Sequence, residues 1–312
     1  MKRLRASRLV GISVAVVIAL LAATVVADVR SRSRIDTAGK FGYIARDGSI
    51  AIPPRFDLAA HFSEGMAAVR IGGKTGYIDT TGRMVIHAMW TEAGPFHEGL
   101  APVSADGDFG FIDTDGVLAI APRFARVGHF SGGIALVAQD GLYGYIDRQG
   151  DFVIPAQYEA ARSFSEGLAP VLIGKKFGYI NAEGAITIEP TFANAGDFSG
   201  GRAQVLSRGR WGFIDKTGAM VIEPKFADAR PFADGLSPVQ QGKRWGFADR
   251  LGNMAIAPTF SRVKFFTDGL APAKTKPNAL YGYIDRKGEW VIQPQFQNAD
   301  SFYEDLACVR WP

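Results

Sequence analysis

Four histidines, His61, His87, His97 and His129, are the side chains of this sequence best suited to holding a metal or moving a proton near neutral pH. None stands at the i, i+4 spacing that carries two ligands on one helix face, so surface or packing positions are the expectation and no metal site is assigned. Asp113-Thr114-Asp115-Gly116 begins like a calcium loop, yet the acidic ligands that should follow are missing, and a turn accounts for it better. Neither a Gly-x-Ser-x-Gly elbow nor a phosphate-cradling glycine loop occurs, and no catalytic or cofactor-binding residue is assigned. Paired carboxylates for glycoside hydrolysis depend on separation in space rather than in sequence, which keeps a glycan-active enzyme open as an alternative. Basic pairs recur more regularly: Lys175 with Lys176, Arg208 with Arg210, Lys243 with Arg244, and Lys274 with Lys276. On one rim they would form a patch for an acidic partner; as separate solvated tips they would do nothing.

What must position these side chains is a repeat. An aromatic-Gly-aromatic pattern places glycine at 42, 76, 110, 144, 178, 212, 246 and 282, eight copies about 34 residues apart. A fixed period of this size means that each copy is one supersecondary unit that buries its apolar face only by stacking on neighbours. Within a copy such as 143–176, Tyr-Gly-Tyr-Ile reads as a strand, Asp147 to Gly150 as an Asx-type turn closed by a glycine, and Phe152-Val153-Ile154 as the returning strand. A proline usually follows (Pro54, Pro122, Pro190, Pro224, Pro258, Pro294) and is expected to stop the ladder. Two aromatics six residues apart come next, from Phe56 and Phe62 to Phe296 and Phe302, sixteen rings expected to form the core. A glycine and a last alternating strand complete three clear strands and a candidate fourth. Copies three and five carry Ser-Gly-Gly (131–133, 199–201) where copies two, four and six carry an acidic residue before the glycine.

On these residues the chain resembles the WG repeats of bacterial proteins. Arg210-Trp211-Gly212-Phe213-Ile214-Asp215 and Lys243-Arg244-Trp245-Gly246-Phe247 carry the signature most fully, and the resemblance covers residues 39–312. It departs in that Phe or Tyr mostly replaces Trp, and in copy two, where Thr75, Ala88 and Trp90 stand for an aromatic, a proline and a phenylalanine. The resemblance implies an interaction module; it implies no reaction and no particular ligand.

An open stack needs polar caps, and neither end of this array has one. It opens on the Phe41-Gly-Tyr-Ile strand and closes on Leu306 to Trp311, complementary halves of one unit. The expected fold is therefore an all-β tandem repeat closed as an eight-bladed β-propeller, with an open β-solenoid as the alternative.

Ahead of the repeats come a basic head (1–8), an apolar stretch without charge (9–27) and a linker (28–38). As a helix, 9–27 would span roughly 28 Å, close to the hydrocarbon thickness of a bilayer. It reads as a transmembrane anchor, alternatively as a signal peptide cut after Ala27; both put the repeats outside the cytoplasm, on the periplasmic side. Residues 1–34 hold seven basic side chains against Asp28, whereas the remainder holds 28 basic and 30 acidic ones. The body thus has no overall basic character to suggest nucleic acid as a partner. Cys308 is the single cysteine, expected as a small core filler, with an intermolecular disulfide or lipid attachment as the alternative. The expected function is a non-enzymatic scaffold that binds a protein or envelope polymer through Lys175, Lys176, Arg208, Arg210, Lys243 and Arg244.

Overall fold

A computed structural model describes residues 39–312, and the head, apolar stretch and linker lie outside the described residues. The body is all β, eight antiparallel sheets following one another along the chain. Blade 1 comprises Leu58–Ala59, Met66–Ile71, Lys74–Asp79 and Met84–Trp90, paired in that order. Blades 2 to 7 repeat the plan over residues 92–124, 126–158, 161–192, 194–226, 228–260 and 262–296. In blade 4 the first strand is reduced to the bridge between Ala161 and Val171. Blade 8 is built from both ends of the array, Asn298–Ala299, Ala307–Arg310, Phe41–Ile44 and Ile50–Phe56. Phe41 pairs with Arg310 and Ile44 with Ala307, so the ring is closed by strand pairing and the open solenoid is excluded.

Each sequence repeat therefore straddles two blades, giving the last two strands of one and the first two of the next. That offset explains the aromatic pairs. Phe56 ends the fourth strand of blade 8 and Phe62 follows the first strand of blade 1, so both enter one seam with Tyr43, Ile52, Ala67, Val69 and Ile78. All sixteen rings are buried, contributing roughly 1.5–3 kcal/mol each.

The glycine of the signature is fixed by backbone crossing it. A Cβ at any of the eight would come within 2.3–2.6 Å of the fourth strand of its own blade, as at Gly212, where it would sit 2.5 Å from the Ile222 carbonyl oxygen. The fourth strand bulges at that point and carries the proline inside it: Pro224 lies within Met220–Phe226. The expectation that proline halts the ladder is thus corrected. This strand is the outer edge of the blade, where a missing N–H removes no pairing partner. The opposite edge, the short first strand, lies toward the axis of the ring.

The Asp-x-x-Gly turns form as expected. Asp147 Oδ1 accepts from the amides of Gln149 (3.0 Å) and Asp151 (2.9 Å), and Gly150 takes a positive φ of 90°. Asn181 replaces the aspartate in blade 4 and accepts from Ala185 N at 2.8 Å.

Candidate functional site

Successive antiparallel strands send alternate hairpins to opposite ends of a blade. Turns between first and second and between third and fourth strands share one face of the ring, the turn face. Tips between second and third strands, with the links from blade to blade, share the other, the tip face. All six basic residues of the sequence reading lie at tips, so the ring gathers them on one face of three consecutive blades, 4, 5 and 6. These are two-residue hairpins: Ile173 pairs with Lys176, Ser207 with Arg210 and Gln241 with Arg244. Positive φ at Gly174 (64°), at Arg208 and Gly209 (50° and 75°) and at Gly242 (59°) matches the twist of such tight loops.

The six side chains are exposed. Arg244 bends back to the carbonyl oxygens of Thr275 (2.5 Å) and Thr259 (3.2 Å), tying blade 6 to the longer tip of blade 7. Arg208 and Arg210 border a shallow recess of about 260 Å³ with Ser207, Met220, Glu223 and Pro224. Blade 7 adds Lys276, which is exposed, and Lys274, whose ammonium lies 4.9 Å from the Tyr281 ring centroid. Burial, and secondarily the charge of Arg262, holds the Lys274 pKa below the usual lysine value. The positive arc continues through Arg310 of blade 8 to Lys74 of blade 1, both missed in the sequence because they stand outside the paired spacing, while Lys40 of blade 8 is paired with Asp57 at 2.5 Å. Tips of blades 2 and 3 carry Asp106, Asp108 and Asp140 instead, so the face is divided by charge. The described chain begins at Gly39, on this same face, where its amide donates to the Trp311 carbonyl at 3.2 Å.

Among the described residues, nine charges on the turn face engage the backbone of a neighbouring blade. Glu64, Glu98, Glu166, Asp234 and Glu304 each reach the turn of the next blade and accept from its backbone amides. In return Arg148 and Lys216 donate to the carbonyls of Glu98 (2.7 Å) and Glu166 (2.9 Å) of the blade before, and Arg46 and Arg286 do the same to Asp268 and Asp234.

Near the axis the histidines are less scattered than their spacing suggested. His97 of blade 2 and His129 of blade 3 lie ring against ring, centroids 4.5 Å apart, and His61 packs on Tyr303 of blade 8 at 4.3 Å. Burial, above all, lowers the pKa of all three. The slot of His61 and His129 holds Asp197 in blade 5, a residue the sequence reading passed over; burial raises its carboxyl pKa against the opposing pull of Arg162 and His129. Lys264 Nζ pairs with Asp300 Oδ1 at 3.2 Å across blades 7 and 8. No group of three or more His, Cys, Asp or Glu poised for a metal occurs among the described residues. Cys308 is buried in blade 8, with Sγ 3.3 Å from the Ala59 carbonyl oxygen of blade 1, and burial pushes its thiol pKa up.

Among solved structures, the ring is similar to a eukaryotic initiation factor, with TM-score 0.56 and 11% identity over 86% of this chain and 87% of that one. It is also similar to the dihydro-heme d1 dehydrogenase NirN (TM-score 0.53, 14% identity, 83% and 73%). Kluyveromyces lactis Hsv2 with its 6CD loop replaced by a Gly-Ser linker gives TM-score 0.50 at 7% identity, covering 73% and 91%. Likeness at these identities is likeness of fold. No curated protein matches the chain. The family model of the WG containing repeat matches eight times, at 41–74, 76–107, 109–143, 143–177, 177–211, 211–245, 245–276 and 281–310, and the chain belongs to that family.

Proposed function

We propose that this repeat propeller is a non-catalytic scaffold, held outside the cytoplasm by residues 9–27, that binds an acidic protein or envelope polymer through the tips of blades 4 to 7. One observation carries the reading. Four consecutive blades put basic side chains on a single face, while several charges of the opposite face, Glu64 and Arg148 among them, are used to fasten blade to blade. A positive arc of this kind attracts polyanions and raises their encounter rate. The glycan-active alternative calls for two carboxylates facing one another. Near the axis, Asp300 is taken by Lys264, and Asp197 is set among Arg162 and His129.

The test uses the full chain and polyglutamate as probe, beside a variant carrying Lys175→Gln, Lys176→Gln, Lys243→Gln and Arg244→Gln. The expected result is binding that weakens steeply with added salt and is largely lost in the variant. Undiminished binding by the variant would remove the tips from the account, and turnover of a polysaccharide panel abolished by Asp197→Asn would replace it with the enzyme.

A further inference from the structure

The residue that departs from the repeat at position 75 leaves a hole of defined shape. In seven copies the residue before the signature glycine is aromatic: Phe41, Phe109, Tyr143, Phe177, Trp211, Trp245 and Tyr281. Each stands in the third strand of its blade near the tip face. In blade 1 the position holds Thr75, and there the seam between blades 1 and 2 contains a recess of about 580 Å³. Ala59, Ala60, Ala68 and Ala93 provide apolar wall, Thr75 and Thr91 provide hydroxyl-bearing surface, and Arg70 and Glu92 supply charge. The volume lies within the ordinary range for small-molecule sites.

The repeat also indicates what the recess would accept. Arg70 is the cross-strand partner of Thr75, as Arg310 is of Phe41. The Arg310 guanidinium stands over the Phe41 ring at 5.7 Å, and the corresponding Lys274 ammonium over Tyr281 at 4.9 Å. Blade 1 keeps the cation and lacks the ring beneath it. Nor is Arg70 paired with a carboxylate among the described residues, since nearby Asp57 is held by Lys40 at 2.5 Å. Behind Thr75 stands Trp90, its register partner, whose Nε1 is buried without a hydrogen-bond partner among the described residues.

The geometry points to a binding site for a planar aromatic group, inserted above Thr75 and beneath Arg70 where the other blades carry their own ring. Recognition combines apolar contact with the alanine walls and attraction of the guanidinium to the ring face. The group could arrive as a free aromatic metabolite or as the side chain of a partner polypeptide. This site is independent of the polyanion reading, because it uses none of the tips of blades 4 to 7.

The experiment follows fluorine NMR signals of two probes with the full chain. One is 5-fluoroindole; the other is a glycine-flanked peptide bearing one 5-fluorotryptophan. Saturable broadening with either probe is expected, tighter binding of the peptide marking a polypeptide source and tighter binding of free indole a small molecule. Thr75→Trp should fill the recess, raise the melting temperature and abolish binding of both. Arg70→Gln, which leaves the recess open, should weaken binding about threefold. Absence of saturable binding in both arms, or wild-type binding by a folded Thr75→Trp protein, would overturn the proposal.

Discussion

The Glu64 carboxylate of blade 1 accepts from the backbone amides of Glu98 at 2.6 Å and Gly99 at 2.8 Å in blade 2. Its counterpart Glu98 does the same for Gly132 and Gly133 in blade 3. There the relay stops, because blade 3 has glycine at the corresponding position, 132. The Ser-Gly-Gly copies thus have no carboxylate to offer the next blade, and in blade 7 the Asp268 carboxylate faces Arg46 instead. Gly132 has φ 65°, and Glu64, Glu98 and Glu166 already hold nearly the same backbone conformation at 53–54°. Gly132→Glu should therefore cap the turn of blade 4 at Gly167, whereas Gly132→Ala takes on the same backbone strain with no bond in return. We expect the glutamate variant to exceed the alanine variant by about 0.5–1 kcal/mol in urea unfolding, the scale of an exposed charged contact. Equal midpoints for the two would show that the relay does not stabilise the ring.

Gly212→Ala tests the crossing of strand over glycine. The added methyl would lie 2.5 Å from Ile222 O and 2.8 Å from Pro224 N, both backbone atoms that move only with the outer strand. Overpacking of this kind costs about 1–3 kcal/mol, and more where backbone must shift. The loss should appear as a lower urea midpoint with unchanged slope. A variant as stable as the parent would mean that the bulge is free to open.

The repeat, the ring and the buried aromatics were legible because each is a periodic property: the spacing counts the blades, and the complementary ends Phe41 and Val309 specify closure. Lys175, Arg208 and Lys243 were legible as tips for the same reason. The pairing of His97 with His129 was not, since the residues occupy different slots of successive copies, one after the second aromatic and one before it. Only the blade stagger brings them together. Likewise the departure at Thr75 was visible as a missing ring, but that its neighbours would leave the space open depends on four alanines drawn from two blades.

Aromatic identity carries a further consequence. Tyr179 donates its hydroxyl to the Gly196 carbonyl at 2.8 Å, and Tyr43, Tyr77, Tyr145 and Tyr283 make the same bond across their seams. Phe213 has no hydroxyl, and the corresponding Arg230 carbonyl is instead satisfied by Ser237 Oγ at 2.7 Å. Tyr179→Phe should cost about 1 kcal/mol, because it strands a buried carbonyl. Ser237→Ala should cost a similar amount, and adding Phe213→Tyr should restore most of it. Failure of that rescue in thermal unfolding would show that the carbonyl needs no partner.

The stacked histidines make stability depend on pH in a direction that can be stated. Burial, and for His97 also the nearby charge of His129, lowers their pKa values below that of an unfolded histidine, near 6.5. Glu64 and Glu98 beside His97, and Asp197 and Glu98 beside His129, oppose the shift without reversing it. The unfolded chain therefore binds more protons than the folded ring over the interval from about 6.5 down to the folded values. Stability is highest above that interval and falls as the solution is acidified through it. Replacing both rings by phenylalanine, which keeps a planar contact and removes the titration, should flatten the urea midpoint between about pH 7 and pH 5. If the double variant loses stability on acidification as steeply as the parent, the stacked pair is not its source, and His61 against Tyr303 becomes the group to replace.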